Sequence, residues 1–335
     1  MTWAAANGKR PHSPMRPRRV QHILAAAALL AAASCGPVQS AADEEPDTVR
    51  MSTGFATGNF RPFSEALVKG YRELMPDLRV QPIDTSGSME NIQALNDGTV
   101  DVGLSQGGIA YMAYNGRFRG SAQPLRNIRG IAVLNSSAVQ LLVGPGSRIR
   151  SMDELRGHRV SVGPDGSGAA VISEMVLDGY FSPGEVQKID ASVPRTNEML
   201  LDRSIDAAFT ISSVPNDDAK HLTQAGARLL PIRGPAMVKL RTIYPFFRSE
   251  VIPADAYAGM NEAVHTLAVD VVLLTRAGLA DATVRRLTDG LFRMLPQLNA
   301  ELPFLKGMVP ERAPATPVPL HPGAALYYRE RELRR

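Results

Sequence analysis

Downstream of residue 48, apolar positions follow two alternating rhythms. Short apolar runs at 49–53, 78–83 and 100–105 read as strands, bounded by Gly, Pro, Asp and Ser. Between them the period becomes helical. Across 62–74, Phe63, Ala66, Leu67, Gly70, Tyr71 and Leu74 share one face. Across 88–96, Met89, Ile92 and Leu95 point inward and Gly98 lies past the end. Residues 108–114 predict a third helix. This strand–helix alternation predicts a mostly parallel sheet with helices on both faces.

Two apolar strands of another character follow, at 128–134 and 139–143. Ser151 then opens a short helix with Glu154 as its capping-box partner. The first pattern restarts: strands at 159–162, 186–190, 207–211 and 228–231, helices at 167–177, 194–201 and 215–225. Residues 266–275 (TLAVDVVLLT) form a long apolar strand, and 281–295 an amphipathic helix capped by Asp281. A Pro-rich stretch over 310–322 leads to a short charged helix. The expected organisation is one lobe over 43–137, a second over 138–264, and a return to the first lobe over 265–335. Similar α/β units joined by two crossover strands describe a hinged, two-lobed binding protein. No repeat is evident between the halves as sequence; the similarity is architectural.

Charge changes the picture at one end only. Residues 1–35 hold Lys9, Arg10, Arg16, Arg18 and Arg19 and no acid, so the rest has 32 of the 37 Lys and Arg against 33 Asp and Glu. The folded part is near neutral, which argues against nucleic-acid binding. The apolar run at 23–34 is too short to span a bilayer and reads as a signal peptide over 1–42, with Met15 as an alternative start. Cys35 is the single cysteine. In AASC it resembles a lipobox with Ala32 where Leu is preferred; ordinary cleavage after Ala42 is the alternative. Either way no internal disulfide can form. The expected location is the periplasm, with a lipid anchor if Cys35 is modified.

The candidate chemistry sits in loops. RMSTGFATGNFRPFSEALVKGY (50–71) and RVSVGPDGSGAAVISEMVLDGY (159–180) share a design: apolar strand, Gly/Ser/Thr loop, helix. Such a junction aims unpaired backbone N–H groups and a positive dipole end at whatever lies above it. The first loop offers Thr53, Thr57, Asn59 and Arg61, with Pro62 suited to the helix's first turn. The second offers Ser167 between Gly166 and Gly168. It lacks the Lys of a P-loop and the spacing of a dinucleotide fingerprint, and Asp165 occupies the Gly position of a nucleophile elbow. A third loop, Gln106-Gly107-Gly108, precedes Tyr111 and Tyr114, and Gln106 could orient a carboxylate or amide at the strand end. Each loop could equally be a turn with no ligand. The histidines are scattered, without metal-ligand spacing. No carboxylate pair suggests an acid/base dyad, and Asp217-Asp218 reads as a solvated helix face.

With these features the chain resembles the TAXI family of TRAP-transporter solute receptors. The resemblance rests on TGFATGNFRP, TSGSMENIQALNDGTVDVGLSQGGIAYMAYNG, LRGHRVSVGPDGSG, AFTISSVPND, TRAGLADATVRRLTDGLF and HPGAALYYRE, in that order. It implies a type II periplasmic-binding-protein fold and delivery of a small organic anion or amino acid to an ion-coupled TRAP permease. Typical solutes would be glutamate, glutamine and 2-oxoglutarate. Phe60 and Arg61 stand where the family's first loop carries paired aromatics, and Gly107-Gly108 where it has Ser/Asn-Asp. Arg61 would supply a fork for a carboxylate, favouring a dicarboxylate or 2-oxoacid over a zwitterion.

The expected protein is a non-enzymatic, monomeric receptor needing no cofactor. Its expected ligand contacts are Thr53, Thr57, Asn59, Arg61, Ser86, Ser88, Gln106, Tyr111, Ser167, Gly168, Ala169, Pro215 and Tyr244. Two alternatives remain: a receptor reporting to a membrane sensor, and a hydrolase using Ser167, for which the sequence shows no nearby His/Asp partner.

Overall fold

A computed structural model describes residues 47–333 except 55–58, 120, 122, 303–304 and 306–307. The expected signal segment, Cys35 and Thr57 lie outside the described residues. None of the described helices is long and apolar enough to cross a membrane.

One mixed sheet organises the chain, and its two ends repeat a plan. β1 (Thr48–Ser52) lies parallel between β2 (Arg79–Ile83) and β3 (Val102–Gln106). They are linked by α1 (Phe60–Leu74) and α2 (Ser88–Asp97), and α3 (Gly107–Tyr114) follows β3. At the other end β5 (Arg159–Gly163) lies parallel between β6 (Gln187–Asp190) and β7 (Ala207–Ser212). They are linked by α4 (Gly168–Tyr180) and α5 (Val193–Leu201), and α6 (Asp217–Gln224) follows β7.

Two long strands join the ends. β4 (Ile128–Val143) and β10 (Val264–Arg276) run antiparallel to each other, with register shifts after Val271 and Leu273. Each changes its outer neighbour halfway along. β10 pairs with β9 (Arg248–Ile252) over 264–268 and with β3 over 271–275. β4 hydrogen-bonds the C-terminal tail through the Gly130 and Val133 amides, then pairs with β7 over 138–143. On its β10 side it also gains β8 (Arg228–Leu230) over 141–143.

Four expectations change. The apolar runs 128–134 and 139–143 are one strand, and their polar break, Asn135-Ser136-Ser137, is where the neighbours change. The alternating side chains of an extended chain put Ser136 on the face where its hydroxyl accepts from Arg248 Nη2 at 2.9 Å. Asp270, opposite Ser136, takes Arg248 and Arg312 as partners. Secondly, α7 (Pro235–Ile243) and β9 were not foreseen, because neither has a clean apolar period; only Leu240 of α7 is buried. Thirdly, α8 (Asp281–Glu301) continues through Pro296 and has no side-chain cap, so Asp281 is not its N-cap. Lastly, α6 begins after Pro215, with Asn216 as its cap accepting from the Ala219 amide at 3.0 Å. The tail ends, as expected, in a helix, α9 (Pro322–Glu332).

The repeated plan extends to its ion pairs. Arg50, in the middle of β1, donates to Asp101 from its amide (2.8 Å) and Nε (2.9 Å) and reaches the Gly98 carbonyl. Arg159, the first residue of β5, donates to Asp206 from its amide (2.8 Å) and Nε (3.2 Å) and reaches the Arg203 carbonyl. In both halves an Asp just ahead of the third strand ties down an arginine amide of the first. Asp101 also accepts from Arg276 of β10 at 2.5 Å. Burial pushes the Asp101 carboxyl up, but the hydrogen bonds from Arg50 and Arg276 outweigh it and hold it below the usual range.

Asp101→Asn is expected to cost about 2 kcal/mol, measured by urea denaturation; the partly exposed arginines discount the larger loss typical of a broken buried pair. Asp206→Asn should cost less, its side chain being 25% exposed against 2% for Asp101. Because the folded carboxyl is depressed, this contribution is complete above the ordinary Asp range and is lost as pH falls through the lower folded value. The Asp101→Asn penalty should therefore shrink on acidification below about pH 4.

Candidate functional site

The repeated strand–loop–helix junctions meet face to face. α1 starts at Asn59-Phe60, α2 at Gly87-Ser88 and α4 at Ser167-Gly168, and the three starts line one cavity with Gln106 at the end of β3. Helix amides lacking an intrahelical acceptor thus converge on the cavity, bringing with them the positive ends of their dipoles. The cavity holds about 170 Å³, below the usual range for drug-sized ligands and suited to a small organic molecule. Asn135 and Ser137, on the cavity face of β4, lie at its floor, and Thr196, Asn197, Thr210, Ser212 and Asp218 add polar groups from the second half. Phe60, Phe209, Leu222 and Val271 supply apolar wall.

Local geometry fixes these groups. Ser167 Oγ accepts from the Ala170 amide at 3.0 Å, a side-chain N-cap. The Val171 amide bonds the Ser167 carbonyl. The amides of Gly168 and Ala169, first in α4, are left without intrahelical acceptors. Ser88 Oγ accepts from the Gln106 amide at 3.1 Å. Gln106 is buried, and its Oε1 has no partner among the described residues. A Cβ on Gly168 would sit 2.6 Å from Ser88 Oγ and 3.3 Å from Gln106 Oε1, so α4 rests directly on the first half. Asn59 Nδ2 donates across the cavity to Ser212 Oγ at 3.2 Å. Two further contacts bridge the halves: Arg119 pairs with Glu174, and Phe246 lies against Gly108, close to Ile172.

Behind the cavity a buried network holds α6. Tyr257 donates to Gln140 Oε1 at 2.6 Å, and the Asn216 amide and Nδ2 donate to the Tyr257 hydroxyl at 3.2 and 3.0 Å. Burial pushes the Tyr257 hydroxyl up to about 12, so it stays protonated as a donor. This network places Asp218, whose Oδ1 accepts from Asn197 Nδ2 at 2.8 Å. The expectation that Asp217-Asp218 is a solvated face is corrected for Asp218, which lines the cavity.

Of the thirteen expected contact residues, Asn59, Ser88, Gln106, Ser167, Gly168 and Ala169 line the cavity. Thr53 is buried beside it and donates to Asp84 at 3.1 Å. Ser86 is bound to Glu90 by both its amide and its hydroxyl. Tyr111 and Tyr244 pack on Phe246, in the apolar contact between the halves. Pro215 is exposed ahead of α6. Arg61 is a correction: its guanidinium pairs with Asp84 at 3.0 Å and the Gly54 carbonyl at 3.2 Å, outside the cavity wall. An acidic neighbour one strand away captured it, a partner that loop spacing could not show.

The cavity is consequently poor in charge. Among the described lining residues none is Lys, Arg or His, and Asp218 is the one ionisable side chain. Residues 55–58, beside Asn59, are Phe, Ala, Thr and Gly and add no charge.

Solved structures share this architecture. XAC2383 from Xanthomonas citri bound to ATP matches with a TM-score of 0.53 at 14% identity, over 85% of this chain and 98% of that one. The periplasmic binding protein BugD matches with a TM-score of 0.52 at 12% identity, over 85% and 93%. The fold is that of two-lobed periplasmic binding proteins, as the sequence resemblance implied. A family model described as the NMT1-like family matches residues 51–331. From the opening strand to the last helix, the chain belongs to the NMT1-like family.

Proposed function

We propose that the protein is a periplasmic solute receptor that binds a small organic acid or amino acid between two lobes and hands it to a membrane permease. The resemblance to TAXI receptors favours a TRAP-type permease. The lobes correspond to 43–137 with 265–335, and to 138–264. The observation that carries this reading is the cavity itself: helix starts from both halves converge on it, and β4 and β10 form its only two long connections among the described residues. Bending of two strands at their partner change would open it, in the manner of hinged domain closure.

The Gly168 and Ala169 amides would hold one carboxylate of the solute, as helix N-termini hold anions elsewhere. Ser88, Asn135, Ser137 and Thr210 would fix its orientation by hydrogen bonds, and Phe209 would cover it. A second carboxylate finds no cation, since Arg61 is held by Asp84. This favours a monocarboxylate or amino acid over the dicarboxylate that Arg61 had suggested.

A thermal-shift screen of the secreted protein against organic acids and amino acids tests the reading. A solute at one hundred times its Kd should stabilise the protein by about 2.7 kcal/mol, and no hit in either class would overturn it. Gly168→Val should reduce affinity for the hit at least tenfold while the ligand-free protein melts within a few degrees of wild type. A Cβ there meets Ser88 and Gln106 across the cavity, so the substitution obstructs closure rather than either core.

A further inference from the structure

Among the described lining residues the one ionisable side chain, Asp218, is acidic and forms no ion pair with another described residue, and this arrangement has a direct consequence for the cargo. Taking the receptor reading as given, we infer that Asp218 sets the charge selectivity of the cavity: the solute carries one anionic group and one cationic, hydrogen-bond-donating group, and dianions are excluded.

The anionic end meets helix starts. α4 offers the Gly168 and Ala169 amides, which lack intrahelical acceptors, and α1 and α2 also begin at the cavity wall. A helix N-terminus carries only about half a positive charge, and no side-chain cation among the described lining residues adds to it. Gln106 stands beside the start of α4, 6% exposed, with a carbonyl oxygen that no described donor reaches. That oxygen points at α4, 3.3 Å from where a Gly168 side chain would begin. An oxygen only accepts, so a solute with an N–H or O–H next to its carboxylate would satisfy it.

The other polar end faces Asp218. Asn197 satisfies one carboxylate oxygen through a neutral amide, and the Gln140–Tyr257–Asn216 network that fixes the start of α6 is also neutral. No ion pair among the described residues involves Asp218, and no cationic side chain lines the cavity. Before a solute enters, the Asp218 carboxylate therefore has no ion-pair partner among the described residues of the cavity wall. A cationic group on the solute would be attracted to it, and a second anionic group repelled. A receptor built this way discriminates by repulsion as much as by attraction. Asp218 also suits the first turn of α6 through the helix dipole. A purely structural residue of that kind would leave solute preference unchanged when its charge is removed.

Calorimetric titration of the wild-type protein and Asp218→Asn tests the inference with alanine and glutamine as zwitterions and succinate and 2-oxoglutarate as dianions. Asn keeps the acceptor for Asn197 and the shape, and loses the charge. Wild type is expected to bind at least one zwitterion and at least tenfold more weakly, or not at all, either dianion. Asp218→Asn should weaken the zwitterion at least tenfold and narrow or reverse the preference, with the ligand-free melting temperature unchanged. Asp218→Ser, which retains a first-turn hydrogen-bonding side chain, should repeat the result and guards against a folding defect in the first variant. Dianions bound by wild type as tightly as the zwitterions, or variants with unaltered affinities, would overturn the inference and leave the receptor reading intact. A wild-type protein that responds only to a solute outside both classes overturns it equally. Failure of the receptor reading is a different result: silence across the whole thermal-shift screen.

Discussion

The antiparallel pairing of β4 with β10 is the constraint on which the rest depends. Both strands belong to both halves, and both exchange outer neighbours midway. A buried backbone cannot lose its hydrogen-bond partners cheaply, so the exchange needs substitutes. The tail supplies some, through the Pro319 and Ala313 carbonyls that accept from Gly130 and Val133. Side chains supply others, through Ser136, Asp270, Arg248 and Arg312. The polar residues this exchange requires alternate in direction: Ser136 faces the ion pairs, while Asn135 and Ser137 face the cavity. The change of neighbours and the cavity floor thus fall on one short segment, Ser136 serving the first and Asn135 and Ser137 the second.

Around that axis the two ends of the sheet are built alike. Each has three parallel strands, an Arg in the central one, an Asp tying down its amide, and a Gly/Ser/Thr loop into a helix. Because strand carboxyl ends in both halves point to the common cleft, the helix starts that follow them do too. The convergence of helix starts on the cavity therefore follows from topology more than from any charged side chain. Helix dipoles direct positive potential at it, and Asp218, the one carboxylate among its described lining residues, adds asymmetry.

Much of this was legible in the chain. The alternation of periods gave the order of nearly all elements, because strand and helix faces bury different spacings. The three Gly-containing loops marked the cavity, because only backbone lacking bulky side chains lets α4 approach Ser88 and Gln106. Other features were invisible. α7 and β9 are largely exposed and lack a period. The break at 135–137 read as an end of strand, since polar residues at a change of neighbours look like a turn. Arg61 and Asp218 exchanged roles for one reason: which charge faces a cleft depends on what lies beside it in space. Arg61 meets Asp84, and Asp218 meets Asn197, only in the fold.

By itself the sequence determined the two α/β units, the two connecting strands and the small-residue loops, since these follow from local period, turn chemistry and steric permission. Tertiary structure alone decided that the loops oppose one another, that the polar break is a cavity floor, and that Asp218 lines the cavity while Arg61 lies outside it. Charge placement is a long-range property: a side chain goes to its nearest satisfying partner, and pairs such as Arg61 with Asp84 or Asn59 with Ser212 exist only once the chain has closed.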